Sequence, residues 1–334
     1  MAQGVSASGG IEAGPRPSVA MAATPVPRIT RAVLSAAGRR TSLDTPFLPK
    51  ALLDIEGTAL ISHVLRQLHS GGIRHVVLVL AYHAAATVQE VRRFCRCLPG
   101  FRVEALDLGD DYDGFYAKSL LAAREQCRLA AADGEPGVLI ATADHIFDEA
   151  LVADVCCAPL EPGRTEVCVL VDFARTPFLG LPLTAVGVRC DGGRVAELSR
   201  ALAQPAVAGG RNPPGTGVEA GLFACRSSLF DRLEALAGAR DYFTLTDAVQ
   251  ELAADGLVAS VATTGRRWVA VETEEELECA TRRRTDSGVP VSCSSQDSFA
   301  LAAASPDGTP QYLREPVPIF FVAGGRQPGP RWGR

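Results

Sequence analysis

Three short apolar runs constrain the fold of this chain most: "AVLSA" (Ala32 to Ala36), "HVVLVLAY" (His75 to Tyr82) and "GVLIATAD" (Gly137 to Asp144). Each is too short for an independent helix and apolar on successive residues, which suits strands buried on both faces. Between the first two lies "LISHVLRQLHSGG", in which Leu60, Ile61, Val64, Leu65 and Leu68 recur at helical spacing and Gly71 and Gly72 supply a stop. Further helices are expected near Ala85 to Phe94 and around Ser119 to Ala132, with "FRVEALD" as a strand between them. This alternation predicts an α/β fold, a Rossmann-like three-layer α/β/α arrangement around a mixed, mostly parallel sheet. Ligands of such sheets bind at the carboxyl ends of the strands.

Composition narrows the function. A chain of 334 residues, 47% hydrophobic, can bury a sizeable core, and a net charge of -5 gives no general basic field for nucleic acid. No uninterrupted apolar run is long enough for a membrane span. The 10 cysteines include no C-x-x-C pair, so Cys168, Cys190 and Cys225 read as small buried hydrophobes of a reducing compartment. Residues 1–29, rich in Ala, Gly, Ser and Pro, read as a disordered leader of a cytoplasmic protein, with an organellar transit peptide as the alternative. Residues 285–334 read as a disordered tail whose apolar run is "PIFFVAG" (Pro318 to Gly324). Function is therefore expected within residues 30–284.

The loop after the first run carries Gly38, Arg39, Arg40 and Lys50, small and basic residues suited to anionic oxygen, phosphate above all. Asp144 closes the third run and should face the same crevice. A carboxylate there suits Mg²⁺ bound to substrate phosphates, or else caps the next element, and the shared crevice favours the metal. Of 33 basic residues only Lys50 and Lys118 are lysines. A compact ammonium suits a phosphate undergoing transfer. Lys50 sits between a proline and an apolar run, where mere solvation gives it no purpose, whereas Lys118 at a helix start is open to either reading. His63 and His69 read as packing or surface histidines, the acids of "TEEEL" (Thr273 to Leu277) as compensation of a helix dipole, and residues 204–217 as a surface connection or a lid.

The stretch "AVLSAAGRRTSLDTPFLPKALLD" resembles the opening of the sugar-phosphate and alcohol-phosphate nucleotidyltransferases, a MobA-like NTP transferase domain whose loop runs A-A-G-x-G-T-R and then P-K. Within them it is most similar to the inositol-phosphate cytidylyltransferases. "TADHIF", "VDFARTPF", "GVRCDGGRVAEL", "VEAGLFACRSSLF", "YFTLTDAVQELAADG" and "WVAVETEEELECA" match further family elements in order. The resemblance implies a GT-A-like fold binding a nucleoside triphosphate, usually CTP, with Mg²⁺, and a phosphorylated alcohol or sugar as acceptor. It implies that the backbone of Ala36, Ala37 and Gly38 approaches the nucleotide, that Lys50 and Asp144 act at the reacting phosphate and that Asp144 holds the metal; Arg39 and Lys118 are further candidates for the nucleotide, Arg40 for the reacting phosphate and Glu272 for the metal. Glu219 and Gly221 would lie near the acceptor.

The chain departs from the family pattern at several places. Arg40 and Ser42 stand where the second Gly and the Arg of G-x-G-T-R belong, Tyr116 and Ala117 replace Asn and Gly beside the base, and Ala270 replaces a metal carboxylate. Two expectations follow: an active enzyme in which Arg39 or Arg40 and Glu272 compensate, or a catalytically impaired relative that binds nucleotide or a partner.

Overall fold

The computed structural model describes residues 28–38, 48–174, 185–207, 213–287 and 319–323. Its strands are β1 (Arg31–Ser35), β2 (Asp54–Ile55), β3 (Thr58–Ala59), β4 (His75–Leu80), β5 (Arg102–Asp107), β6 (Val138–Thr142), β7 (His145–Phe147), β8 (Val167–Asp172), β9 (Gly187–Asp191), β10 (Arg194–Ser199), β11 (Thr216–Cys225), β12 (Val258–Ala262), β13 (Trp268–Ala270) and β14 (Ile319–Ala323). The helices are α1 (Leu60–Ser70), α2 (Ala84–Cys95), α3 (Tyr116–Leu121), α4 (Arg124–Ala132), α5 (Glu149–Cys156), α6 (Arg200–Val207), α7 (Ser228–Ala239), α8 (Leu245–Ala254) and α9 (Glu274–Ser287).

The three apolar runs of the sequence are β1, β4 and β6, and they lie side by side in the middle of a 10-stranded sheet of order β14-β5-β4-β1-β6-β11-β8-β12-β10-β9. The β14, β5, β4, β1 and β6 strands pair parallel to their neighbours, while β11 runs antiparallel between β6 and β8. That insertion and the antiparallel β9–β10 pairing make the sheet mixed, although β8 and β12 pair parallel. Side chains alternate faces along each strand. Ala32 and Leu34 of β1 pack with α1, α2 and α5, whereas Val33 packs with α3, α4, α7 and α8, which gives the α/β/α layering. The run "PIFFVAG" supplies β14, parallel to β5 at the sheet edge. The helix expected around Ser119 to Ala132 forms as two, α3 and α4, broken at Ala122 and Ala123.

Phe230 of α7 is 1% exposed and is the largest fully buried side chain among the described residues. Phe230→Ala is expected to cost about 4 kcal/mol, the usual cost of an aromatic cavity, as read by urea unfolding. His63 is buried with Nε2 3.1 Å from the Ile55 carbonyl oxygen, the packing role its position on the helix suggested. Cys95, Cys97, Cys127, Cys156, Cys157, Cys168, Cys190 and Cys225 are free thiols, and burial pushes those of Cys95 and Cys127 up to about 12. No helix among the described residues is long and apolar enough to cross a membrane.

A smaller core lies off the main sheet. Ile55, Leu60, Val269, Val271 and Ala280 pack together, tying the β2–β3 hairpin and the start of α1 to β13 and α9. β13 pairs in turn with β7, so this cluster fixes what faces the carboxyl end of β6.

Candidate active site

Strand register brings the site together. Ser35 at the end of β1 is level with Val79 of β4 on one side and Thr142 of β6 on the other, so the next residues of β1 and β6 emerge as neighbours. Those residues are Ala36, Ala37 and Gly38 from β1, and Ala143 and Asp144 from β6. The ladder continues into both loops: Ala36 N donates to the Val79 carbonyl at 2.9 Å and Ala143 N to that of Ser35 at 3.1 Å. Ser35 Oγ lies 2.8 Å from Ser119 Oγ, linking β1 to α3.

Lys50 reaches the same place from a short 3-10 turn, Lys50–Leu52, that follows Pro49. Proline fixes the entry to this turn, and Ala51 beside Lys50 is buried in the main core. Lys50 is itself buried, and its Nζ donates to Asp144 Oδ2 at 2.8 Å. His145 Nδ1 lies 2.7 Å from Asp144 Oδ1 and 2.7 Å from Thr142 Oγ1. An ionised carboxylate can only accept, so Nδ1 carries the proton and donates to Asp144. Both oxygens of Asp144 thus have a partner. Burial alone would raise its pKa, but His145 and Lys50 outweigh it and hold the carboxyl well below the usual range. Burial likewise opposes protonation of His145, and the Asp144 carboxylate reverses this and raises the imidazole.

The His145 ring is held on several sides. It stacks on Trp268 with centroids 5.9 Å apart and planes 3° apart, and on Phe147 at 5.8 Å. Trp268 Nε1 donates to Asp172 Oδ2 at 3.0 Å, which anchors the indole to the end of β8. Gly221 closes the remaining side. It lies in β11 at φ +83°, where pairing with β8 shifts register between Glu219 and Phe223, and a Cβ there would sit 2.6 Å from the imidazole. Bulges of this kind re-aim a strand's side chains. Gly221 N donates to Glu219 Oε1. Burial raises the Glu219 carboxyl, offset in part by His145 and by that N–H. The Tyr116 hydroxyl is pushed well up, by burial first and then by the Glu219 and Asp144 carboxylates.

Lys50, Asp144, Glu219 and Gly221 are therefore in one place, together with His145. Ala36, Ala37 and Gly38 border it, and Lys118 is exposed on α3 two residues after Tyr116. Arg39, Arg40 and Ser42 lie outside the described residues. Glu272 follows β13, and its N–H donates to Glu276 Oε2 at 2.7 Å. Thr142, Trp268 and Asp172 are additions that the sequence did not single out by role. All three lie in motifs that carry the resemblance, but nothing in one dimension joins them.

A divalent ion fits this donor set poorly. Ala270, not a carboxylate, is the residue paired with His145 across β7 and β13, and Val271 N donates to the Asp144 carbonyl at 2.8 Å. An ion approaching Asp144 would have to displace Lys50 or His145. Among the described residues no group of three or more His, Cys, Asp or Glu side chains is arranged to hold a metal.

Residues 32–255 match the family model for the MobA-like NTP transferase domain. Among solved structures, the chain is similar to the inositol-1-phosphate CTP transferase from T. maritima, at 16% identity and a TM-score of 0.59, covering 79% of this chain and 98% of that one. It is also similar to a UTP-bound UGPase from Acinetobacter baumannii, at 13% identity and a TM-score of 0.54, covering 77% and 93%. At such identities the likeness shows the fold. No curated protein matches the chain.

Proposed function

We propose that this chain, which belongs to the MobA-like NTP transferase domain family, transfers a nucleotidyl group from a nucleoside triphosphate to a phosphorylated alcohol or sugar and releases pyrophosphate. The nucleotide is CTP and the acceptor an inositol phosphate in this reading, on the sequence resemblance. The observation that carries it is the pairing of Lys50 with Asp144 beside the loop Ala36 to Gly38, at the carboxyl ends of adjacent parallel strands. Such a place suits a phosphate chain.

In the reaction a phosphate oxygen of the acceptor attacks the α-phosphorus. A new P–O bond forms there as the bond from the α-phosphorus to the bridging oxygen breaks, and the electron pair leaves with pyrophosphate. Little covalent chemistry is asked of the protein, so positioning and fixed charge carry the rate. Lys50 neutralises charge developing around the α-phosphorus, with Arg40 assisting. The backbone of Ala36, Ala37 and Gly38, with Arg39 and Lys118, receives the nucleotide. Glu219 and Gly221 border the acceptor. Mg²⁺, the cofactor the resemblance implies, would arrive in this reading with the triphosphate, and Asp144 and Glu272 are the carboxylates that the motif would offer it.

A second reading, a catalytically impaired protein that keeps nucleotide binding, is favoured by Ala270 opposite His145. Pyrophosphate release from a panel of nucleoside triphosphates and phosphorylated alcohols or sugars separates the two. Turnover that is abolished in Asp144→Ala supports the transferase. Its absence in every pairing, with folded protein, supports the impaired relative.

A further inference from the structure

The two oxygens of Asp144 are the positions a divalent ion would take, and the chain fills both with its own nitrogen donors. Lys50 Nζ occupies Oδ2 at 2.8 Å and His145 Nδ1 occupies Oδ1 at 2.7 Å. Neither contact is casual. Lys50 is buried and enters from a proline-led turn, and His145 is wedged between Trp268, Phe147 and the bare Cα of Gly221. The strand position facing His145 presents only the methyl group of Ala270, which is buried at 6% exposure. Glu219, the other carboxylate of the cluster, is already engaged by the N–H of Gly221.

An ammonium has three N–H donors, and among the described residues Asp144 is the sole hydrogen-bond partner of Lys50 Nζ, so two donors remain for a ligand. His145 makes its hydrogen bonds through Nδ1, while its Nε2 and Cδ2 edge lies against Gly221. We infer that Lys50 and His145, clamped on Asp144, stand in for a protein-anchored divalent ion, so that a nucleoside triphosphate binds here without one. The inference rests on the proposed nucleotide site and departs from the metal set that the sequence resemblance implies. It gives His145 the role of holding Asp144 through Nδ1 and makes Ala270 the residue that keeps the metal out.

The test uses the full chain and has two arms. Calorimetric titration of CTP and other nucleoside triphosphates is run in Mg²⁺ and in EDTA. The expected result is binding in both, with dissociation constants within about threefold of each other, a small difference on the scale of binding free energies. Ala270→Asp returns a carboxylate to the strand beside Asp144. That variant is expected to bind nucleotide roughly tenfold more tightly with Mg²⁺ than without, since a supporting carboxylate changes metal affinity by about that much. Nucleotide binding by the unmodified chain in Mg²⁺ that vanishes in EDTA overturns the inference.

The second arm needs no nucleotide. Mn²⁺ is titrated into the free protein and followed by electron paramagnetic resonance. The unmodified chain is expected to retain no Mn²⁺ at this site, and Ala270→Asp to gain one ion that Asp144→Asn then removes. A bound Mn²⁺ in the unmodified chain that Asp144→Asn abolishes overturns the inference whatever the nucleotide data say. Failure of every triphosphate to bind, with the Mn²⁺ results as expected, contradicts the proposed function and leaves the metal-excluding clamp supported. Circular dichroism of each variant confirms that it is folded.

Discussion

Replacing Lys50 by Met is expected to lower pyrophosphate release by about a thousandfold, the scale seen when one fixed donor to a developing oxyanion is removed. Met keeps the length and apolar stem of the side chain, so Ala51 and the turn around it retain their packing. What is lost is the ammonium on Asp144 Oδ2. Two effects follow from that one change. The reacting phosphate loses its point charge, and Asp144 is left with only His145 to balance it in a largely buried position. Truncating one partner of such a pair costs about 3 kcal/mol of stability. Activity and urea unfolding are therefore measured together. An unchanged rate in the folded variant would remove Lys50 from the chemistry.

The second large effect is expected at Gly221. Alanine there meets two penalties: a backbone at φ +83°, which L residues rarely adopt, and a Cβ 2.6 Å from the ring of His145. The conformational penalty alone is about 1–2 kcal/mol. The clash is not with a flexible chain end. His145 is backed by Trp268 and Phe147, so relief must come by tilting the imidazole off Asp144 or by moving β11. Gly221→Ala is thus expected to lose about 2 kcal/mol in denaturant unfolding, and its transfer rate to fall by about tenfold because small displacements at a reacting centre are costly. Stability near that of the parent would mean that His145 is free to move aside.

Much of the architecture could be read from the chain because it depends on local pattern. The central strands β1, β4 and β6 are apolar on both faces, and the helical spacing of Leu60, Ile61, Val64, Leu65 and Leu68 is that of α1. From those alone, Asp144 and the loop after β1 could be placed at one end of the sheet. What could not be read is non-local. That β11 inserts antiparallel between β6 and β8 depends on pairing across long separations, and its register shift at Glu219 to Phe223 is invisible in "VEAGLFACRSSLF". The same holds for β7 against β13, which sets Ala270 before His145, and for the Trp268 to Asp172 hydrogen bond. The apolar run in the C-terminal segment could not declare itself a strand, because an edge strand is defined by the neighbour it joins, here β5. No spacing in the sequence points to His145, since a ring held by Gly221, Trp268 and Phe147 leaves no such signal.

The most direct test of the account is the fate of a phosphate label. CTP radiolabelled at the α-phosphate is incubated with inositol phosphate and the full chain, and the products are separated. Nucleotidyl transfer predicts label in a product that carries both cytidine and the acceptor, with unlabelled pyrophosphate released in equal amount and both lost in Lys50→Met. Label that stays in CTP, or that leaves with a product lacking the acceptor, from folded protein and across the other triphosphates and acceptors, would contradict it.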